Sequence, residues 1–385
     1  MNTSQTSYQV YPRQFFLLAF ISAVCFKVVM LPQYLSVGAG RMAYLTMAWM
    51  MLIELGMLGI VYGFVSRASL FGSNLPDWLK AVLALAILAS SLFKGSILCC
   101  ESLHYICTAL FDNATWSYAM LALLPCLFYL SYKGGNILAR TSEILFWFLA
   151  AAFLFNVMFA HAEGSLSNLS PFQPDASVWT TADRHLIWFG DFTPLLFLQV
   201  VPTKKKSRVY GILTVLATLI CPVLLMRAFQ TIYGGGGVLV SNAFSKLSIF
   251  NKISFLLGTV DFPTVCAWLM MATIKLSLIL YGAAQCLHYF VRKHAIVSSI
   301  LVTLAMGAIV LIALGSIGNA YRVATTWIRY LFGLLEYAVP MIAYTALRIC
   351  NRKSDARLPI ALNDAPRPKA LPERSGSAAP QGESL

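Results

Sequence analysis

Two short stretches of this chain carry a charge beside a helix breaker within an apolar run. One reads SAVCFKVVMLPQ, with Lys27 five residues before Pro32. The other reads IWFGDFTPLLFL, with Gly190 and Asp191 shortly before Pro194. Proline removes a backbone donor and clashes with the preceding turn, and glycine weakens a helix further. An interrupted helix frees backbone N–H and C=O groups. Inside a membrane these are tolerated only where they line a cavity or are buried in protein. The chemistry on offer is therefore binding of an ion or a small polar molecule. A salt bridge between Lys27 and Asp191 would neutralise both charges. It could also present one ammonium and one carboxylate to a zwitterionic ligand, or merely close the site. Two ordinary proline kinks are the plainer alternative.

Other charges sit in apolar surroundings and need partners. Lys94 and Glu101 are seven residues apart, nearly on one helical face. Lys275, Glu54, Arg227 and Glu336 fall in other apolar runs. A charge at the bilayer centre costs from about 2.5 kcal/mol upward unless paired or hydrated. Glu54 and Arg227 read as structural anchors. Glu101 and Lys275 would flank the two breaks. Phe26, Phe189, Phe192 and Trp268 could wall a small pocket. His104, His161, His185, His288 and His294 share no metal-binding spacing, and no catalytic triad or hydrolytic carboxylate pair is visible. No enzymatic chemistry, cofactor or metal is expected. Nine cysteines, none in a CxxC pair, read as small core hydrophobes.

The elements that must position these residues are membrane helices. Of 385 residues, 59% are hydrophobic and 11% charged, against roughly 25% charged in a soluble domain. Several runs exceed the roughly 18 apolar residues that cross a bilayer. They are uniformly apolar, not alternating, which argues against strands. Ten spans are expected, over 14–36, 42–65, 79–109, 116–132, 137–161, 185–202, 208–229, 260–289, 295–317 and 323–349. The two breaks then fall in spans 1 and 6, the first members of two five-helix halves. Interrupted helices in matching positions of two halves point to a transporter-type site at the midplane.

The net charge of +13 does not indicate nucleic acid, because the basic residues sit in short loops and the tail. With the N-terminal segment 1–13 in the cytoplasm, the inside holds Arg13, Arg67, Lys80, Lys133, Arg140, the run Lys204 to Arg208, Arg292, Lys293 and the tail. The outside holds only Arg41, Arg184, Lys246, Lys252 and Arg322. Ten spans with both ends inside satisfy the positive-inside rule. Polar Met1 to Arg13 followed by a full span gives no cleavable leader. Two long external loops remain. Residues 162–184 are polar, with turns at Pro171 and Pro174. Residues 234–259 open on Gly234 to Gly237, a flexible hinge. They continue with Val240, Ala243, Phe244, Leu247 and Phe250 at helical spacing, an amphipathic helix over the external mouth. Residues 350–385 read as a disordered cytoplasmic tail. Asn113-Ala-Thr115 is a glycosylation sequon by pattern alone.

Four features together resemble the B subunit of spore germinant receptors, also called endospore germination permeases, of the amino acid–polyamine–organocation superfamily. These are Leu31-Pro32, the following Val37 to Arg41, the segment Lys133-Gly-Gly-Asn-Ile-Leu-Ala-Arg140-Thr-Ser-Glu143-Ile, and Asn168-Leu-Ser-Pro171. The resemblance runs from about Tyr11 to Arg348. It implies two inverted five-helix repeats of LeuT type. It also implies sensing of a small germinant, with a membrane-embedded A-type subunit and a C-type lipoprotein as partners in the spore inner membrane. The family's ligand pocket lies between spans 1, 3, 6 and 8. Matched here, it takes in Val24, Cys25, Phe26, Lys27 and Val28, then Leu98 and Glu101, then Gly190, Asp191 and Phe192, and Trp268. Where the family carries small residues in the first break, this chain has Cys25 and Lys27. Lys27 there can hold a ligand carboxylate, take the place of a coupling cation, or plug the site against Asp191.

Two other functions fit the same residues. One is an H⁺-coupled transporter for amino acids or similar solutes, in which Lys27, Glu101, Asp191 and Lys275 couple proton or ion movement. The other is a structural subunit with an occluded pocket.

Overall fold

The computed structural model describes residues 9–109, 116–170, 176–201, 206–249, 261–292, 294–314 and 328–355. Among the described residues the secondary structure is helical apart from one two-residue strand pair. Span 1 is broken as its sequence demands. Helix α1 (Pro12–Val24) gives way to a 3-10 turn at Phe26–Val28, and α2 restarts at Leu31–Ala39 with Pro32 in its first turn. Proline there sacrifices a backbone donor that has no helical partner anyway. Then follow α3 (Ala43–Val65), α4 (Asp77–Ala109), α5 (Trp116–Lys133), α6 (Gly135–Glu163) and the short α7 (Ala176–Thr180).

The sixth span departs from expectation. Within it, the described residues 185–201 do not form an α-helix with one interruption. Two 3-10 stretches, Ala182–Trp188 and Thr193–Phe197, flank the turn at Gly190, and the chain then enters a strand at Gln199–Val200. The 3-10 form suits short pieces with poorer hydrogen bonds, and glycine and proline four residues apart leave no room for a stable α-turn. Among the described residues the remaining helices are α8 (Lys206–Tyr233), α9 (Ala243–Ile249), α10 (Asp261–Val291), α11 (Ala295–Leu314) and α12 (Ile328–Asp355).

Seven helical segments among the described residues are long and apolar enough to cross a membrane. With 13 residues, α1 is too short by itself, and α5 is diluted by Tyr118, Tyr129, Tyr132 and Lys133. The chain is thus a multi-pass membrane protein, while ten separate crossings exceed what helix length establishes. Exposed Leu, Ile, Trp and Phe side chains such as Leu121, Ile144, Trp147 and Ile312 mark the lipid-facing surface. Cys25, Cys99, Cys100 and Cys286 are buried as expected, but Cys126 is exposed on the lipid side.

α10 and α4 pack together at the centre, with α10 also against α5, α6 and α11. One end of the bundle is tied shut. Strand β1 (Gln9–Val10), ahead of α1, pairs in parallel with β2 (Gln199–Val200), after the second break. Beside it, Arg13 Nε lies 3.2 Å from Glu143 Oε1, and Gln14 Nε2 donates to Glu143 Oε2 at 3.0 Å. Gly134 has φ +89°, and Gly135 packs so closely on Leu198 that a Cβ there would push the end of the Leu198 side chain aside. The Gly-Gly and the Glu143 of the family-like segment therefore close the same end.

The opposite end differs from the sequence reading. Gly234–Leu239 is an ordered 3-10 turn, not a loose hinge; Gly234 has φ +50° and Gly237 packs against Phe229. The amphipathic stretch is a seven-residue helix whose Ala243, Phe244 and Leu247 are fully buried. It is packed into the bundle against α6 and α10, not laid over a mouth. Val240 is only partly buried. Pro171, Pro174, Phe250, the sequon and the tail beyond Asp355 lie outside the described residues, and the tail's first six residues, 350–355, are still helical.

Candidate functional site

The two breaks face each other, and three lysines converge on one carboxylate between them. Lys27 Nζ, from span 1, contacts Asp191 Oδ2. Lys275 Nζ, from α10, lies 2.7 Å from Asp191 Oδ1, and Lys94 Nζ, from α4, lies 3.1 Å from the same oxygen. Glu54 on α3 stands 3.5 Å from Lys27 Nζ and accepts a hydrogen bond of 2.9 Å from the Tyr337 hydroxyl. The side chains of Lys27, Glu54 and Asp191 have no exposed surface. Glu336 is buried beside them. With all six groups ionised, three ammoniums face three carboxylates, and the cluster is formally neutral. Neutrality is what makes charge at this depth tolerable.

The cluster also satisfies the backbone that the breaks set free. Lys27 Nζ donates to Ala23 O at 2.8 Å, and Trp268 Nε1 donates to Cys25 O at 2.9 Å. Ala243 N, at the start of α9, donates to Val29 O at 2.9 Å. At the second break Lys94 Nζ donates to Phe189 O at 2.6 Å, the Gly190 N–H donates to Glu54 Oε1, and Ser22 Oγ donates to Asp191 O at 3.0 Å. These polar backbone groups are thus covered by this chain's own residues rather than left open for a ligand.

Lys27 shows how complete the closure is. An ammonium has three donors, and its three acceptors are Ala23 O, Glu54 Oε2 and Asp191 Oδ2. None remains for a ligand carboxylate in this conformation. Gly190 is indispensable to the geometry. Its φ is +73°, and a Cβ there would come within 2.5 Å of Glu336 Cβ. Thr193 Oγ1 ties the same turn to Glu336 O at 3.0 Å.

The space left over holds about one water molecule. Ser91, Lys94, Asp191, Lys275, Ile279 and Glu336 line it. One carboxylate oxygen of Glu336, Oε2, is buried there without a hydrogen-bond partner among the described residues.

Of the residues expected to line a ligand pocket, Gly190 and Asp191 border this cavity, as do Pro194 and Lys275. Val24, Val28, Leu98 and Phe192 are buried in the hydrophobic core instead. Phe26 packs edge-on to Trp268 at 5.6 Å and lies 5.2 Å below the Lys275 ammonium. Phe189 takes the same part under Lys27, at 5.0 Å. Aromatic faces attract cations, so both rings support the lysines. Arg227 is exposed on α8, outside the cluster. Glu101 stands apart as well; both of its oxygens accept from Trp188 Nε1, at 3.0 and 3.1 Å. Glu54, which the sequence presents as a structural anchor, lies within the cluster itself. Lys94, Ser22 and Tyr337 also join the site.

No protein-family model and no curated protein sequence matches this chain. Its fold is nonetheless shared with solved structures. One is a Na⁺-coupled sialic acid symporter in a substrate-bound, outward-open state, at 12% sequence identity and a TM-score of 0.58. The match covers 89% of this chain and 91% of that one. At that identity the likeness establishes the fold: this is a LeuT-type membrane architecture.

Proposed function

We propose that this chain is the ligand-sensing membrane subunit of a spore germinant receptor. It binds a small polar metabolite, an amino acid or a similar solute, near its broken helices. It passes a conformational signal to an A-type membrane subunit and a C-type lipoprotein in the spore inner membrane, with both termini cytoplasmic. The observation that carries this reading is the lysine cluster at the breaks. Lys27, Lys94 and Lys275 place tethered ammoniums around Asp191. A tethered cation cannot travel with a solute. A network held by such charges has two natural conditions, locked and released, which is what a sensor needs. The LeuT-type fold and the family-like segments at Leu31-Pro32 and Lys133 to Ile144 support the same reading.

The test has two arms. Tagged chain isolated from spore membranes is expected to bring down one multi-pass subunit and one lipoprotein. Purified chain in proteoliposomes is expected to accumulate no labelled amino acid under a proton gradient. Uptake by the chain alone would make it an H⁺-coupled transporter and sink the sensor reading.

A second reading is favoured by the size of the cavity, which has room for about one water. It makes the chain a structural subunit with a permanently occluded site. Germinant response unchanged by Lys27→Gly and Asp191→Ala, with both variants reducing protein level, would establish it.

A further inference from the structure

The lysine cluster leaves little for a ligand to grasp, and the chemistry of a second carboxylate points elsewhere. Glu101 lies seven residues beyond Lys94 on α4, which is about 10 Å along the helix axis. It is partly exposed, unlike Asp191 and Glu54. Both of its oxygens share a single neutral donor, Trp188 Nε1. Among the described residues no lysine, arginine or histidine lies within ion-pairing distance of it. A partly buried carboxylate whose one hydrogen-bond donor is neutral, and whose nearest ammonium, Lys275, acts on it only from beyond ion-pairing distance, is under-compensated, and a cation arriving there gains more than it would in solvent.

The surroundings suit an organic cation. The Trp188 ring lies 5.2 Å from Tyr34, which stacks on His185 at 5.8 Å. One turn beyond Glu101, Tyr105 meets Trp268 at 4.4 Å, and Trp268 meets Phe26. Ring faces attract ammonium groups and pack against apolar bodies. An anion would find a like charge in Glu101.

We propose that Glu101 and Trp188 form the recognition point for a ligand's ammonium group, and that the ligand is a primary amine or a related organic cation with an apolar body. This deepens the sensing role above and rests on it. Trp188 directly precedes Phe189, whose carbonyl Lys94 holds, and Gly190, whose N–H Glu54 holds. A cation that competes for Glu101 draws on Trp188 and so pulls on the second break. That path links the recognition point to the lysine cluster.

The experiment compares benzylamine with benzoate, the same ring with opposite charge, by equilibrium dialysis against full-length chain in lipid nanodiscs. Saturable benzylamine binding and no benzoate binding are expected. Glu101→Gln keeps an acceptor for the indole and should melt like the parent, yet lose binding by roughly 10-fold or more. Glu101→Asp should retain most of it. Benzoate binding as well as benzylamine, no saturable benzylamine binding, or unchanged binding in Glu101→Gln would each overturn the proposal. The two readings fail separately. Benzylamine carried into vesicles by the chain alone would remove the sensor reading and leave the cation site standing. Co-isolation of the partner subunits without charge selectivity would do the reverse.

Discussion

The Lys27 ammonium and the Asp191 carboxylate, 164 residues apart in sequence, meet in a site with no exposed surface. They are not equal partners. Lys27 has Glu54 as a second carboxylate, whereas among the described residues Asp191 is the one carboxylate that all three lysines contact. Removing Lys27 leaves Asp191 with two ammoniums. Removing Asp191 leaves Lys94 and Lys275 without an ion-pair partner within 4 Å among the described residues.

Asp191→Asn is therefore expected to destabilise the protein by about 3–5 kcal/mol, the cost of breaking a buried pair. Lys27→Met should cost clearly less. Thermal melting in detergent and steady-state membrane abundance would rank them. Equal losses, or a larger loss for Lys27→Met, would show that Asp191 is not the hub.

Gly190→Ala tests the turn itself. The added Cβ meets Glu336 Cβ at 2.5 Å, and φ is +73°. Left-handed backbone for a non-glycine residue costs on the order of 1–3 kcal/mol, before the clash is counted. Gly235→Ala and Gly236→Ala are the controls, because nothing lies within 4 Å of a Cβ at either position. Gly190→Ala should lower the melting temperature or remove the folded protein, and the controls should match the parent. A parent-like Gly190→Ala would mean that the turn relaxes and the cluster tolerates it.

Much of this site is legible in the sequence because a membrane leaves few reasons to keep a charge. Lys27 and Asp191 stand out in apolar runs close to a proline or a glycine, and Lys275 is a lone charge in an apolar run, so their meeting follows from the cost of leaving each alone. Glu54 does not stand out in the same way. It sits in an unbroken helix, α3, and only the fold reveals that its oxygens reach the Gly190 N–H and Lys27. Periodicity likewise finds α9 but not its place. Its buried face is visible in Ala243, Phe244 and Leu247, while the bond from Ala243 N to Val29 O depends on long-range packing. The sixth span shows the converse. Its composition reads as a helix, yet Gly190 and Pro194 together reduce it to 3-10 turns.

The strand pair at the closed end offers a direct probe of its state. Val10 and Val200 are register partners in the parallel pair, and adjacent strands bring Cα atoms within reach of a disulfide. Val10→Cys with Val200→Cys, in a background carrying Cys126→Ser, should cross-link under mild oxidation and change gel mobility after proteolysis between them. Glu143→Ala removes the acceptor for Arg13 and Gln14. The Arg13–Glu143 pair is partly exposed, so stability should fall by only about 0.2–1 kcal/mol. Cross-linking should nevertheless slow, because this end opens more often. No cross-link in the parent would mean that the end is open under the conditions used.

The tethered ammoniums also set an expectation for ions. In a site built around a mobile cation, removing that cation strands carboxylates and lowers stability by mass action. Here Asp191 already has three ammonium partners, and Glu54 has Lys27, a backbone N–H and a hydroxyl. Replacing sodium by potassium at constant ionic strength should leave the melting temperature unchanged. Lys27→Met should behave differently, since it leaves a fully buried position beside Glu54 and Asp191 without its cation. Small monovalent cations should stabilise that variant and not the parent, as read by melting curves across a sodium titration. A saturable sodium-dependent rise in the parent would mean that a cation site exists beside the lysines, and that Lys27 does not stand in for it.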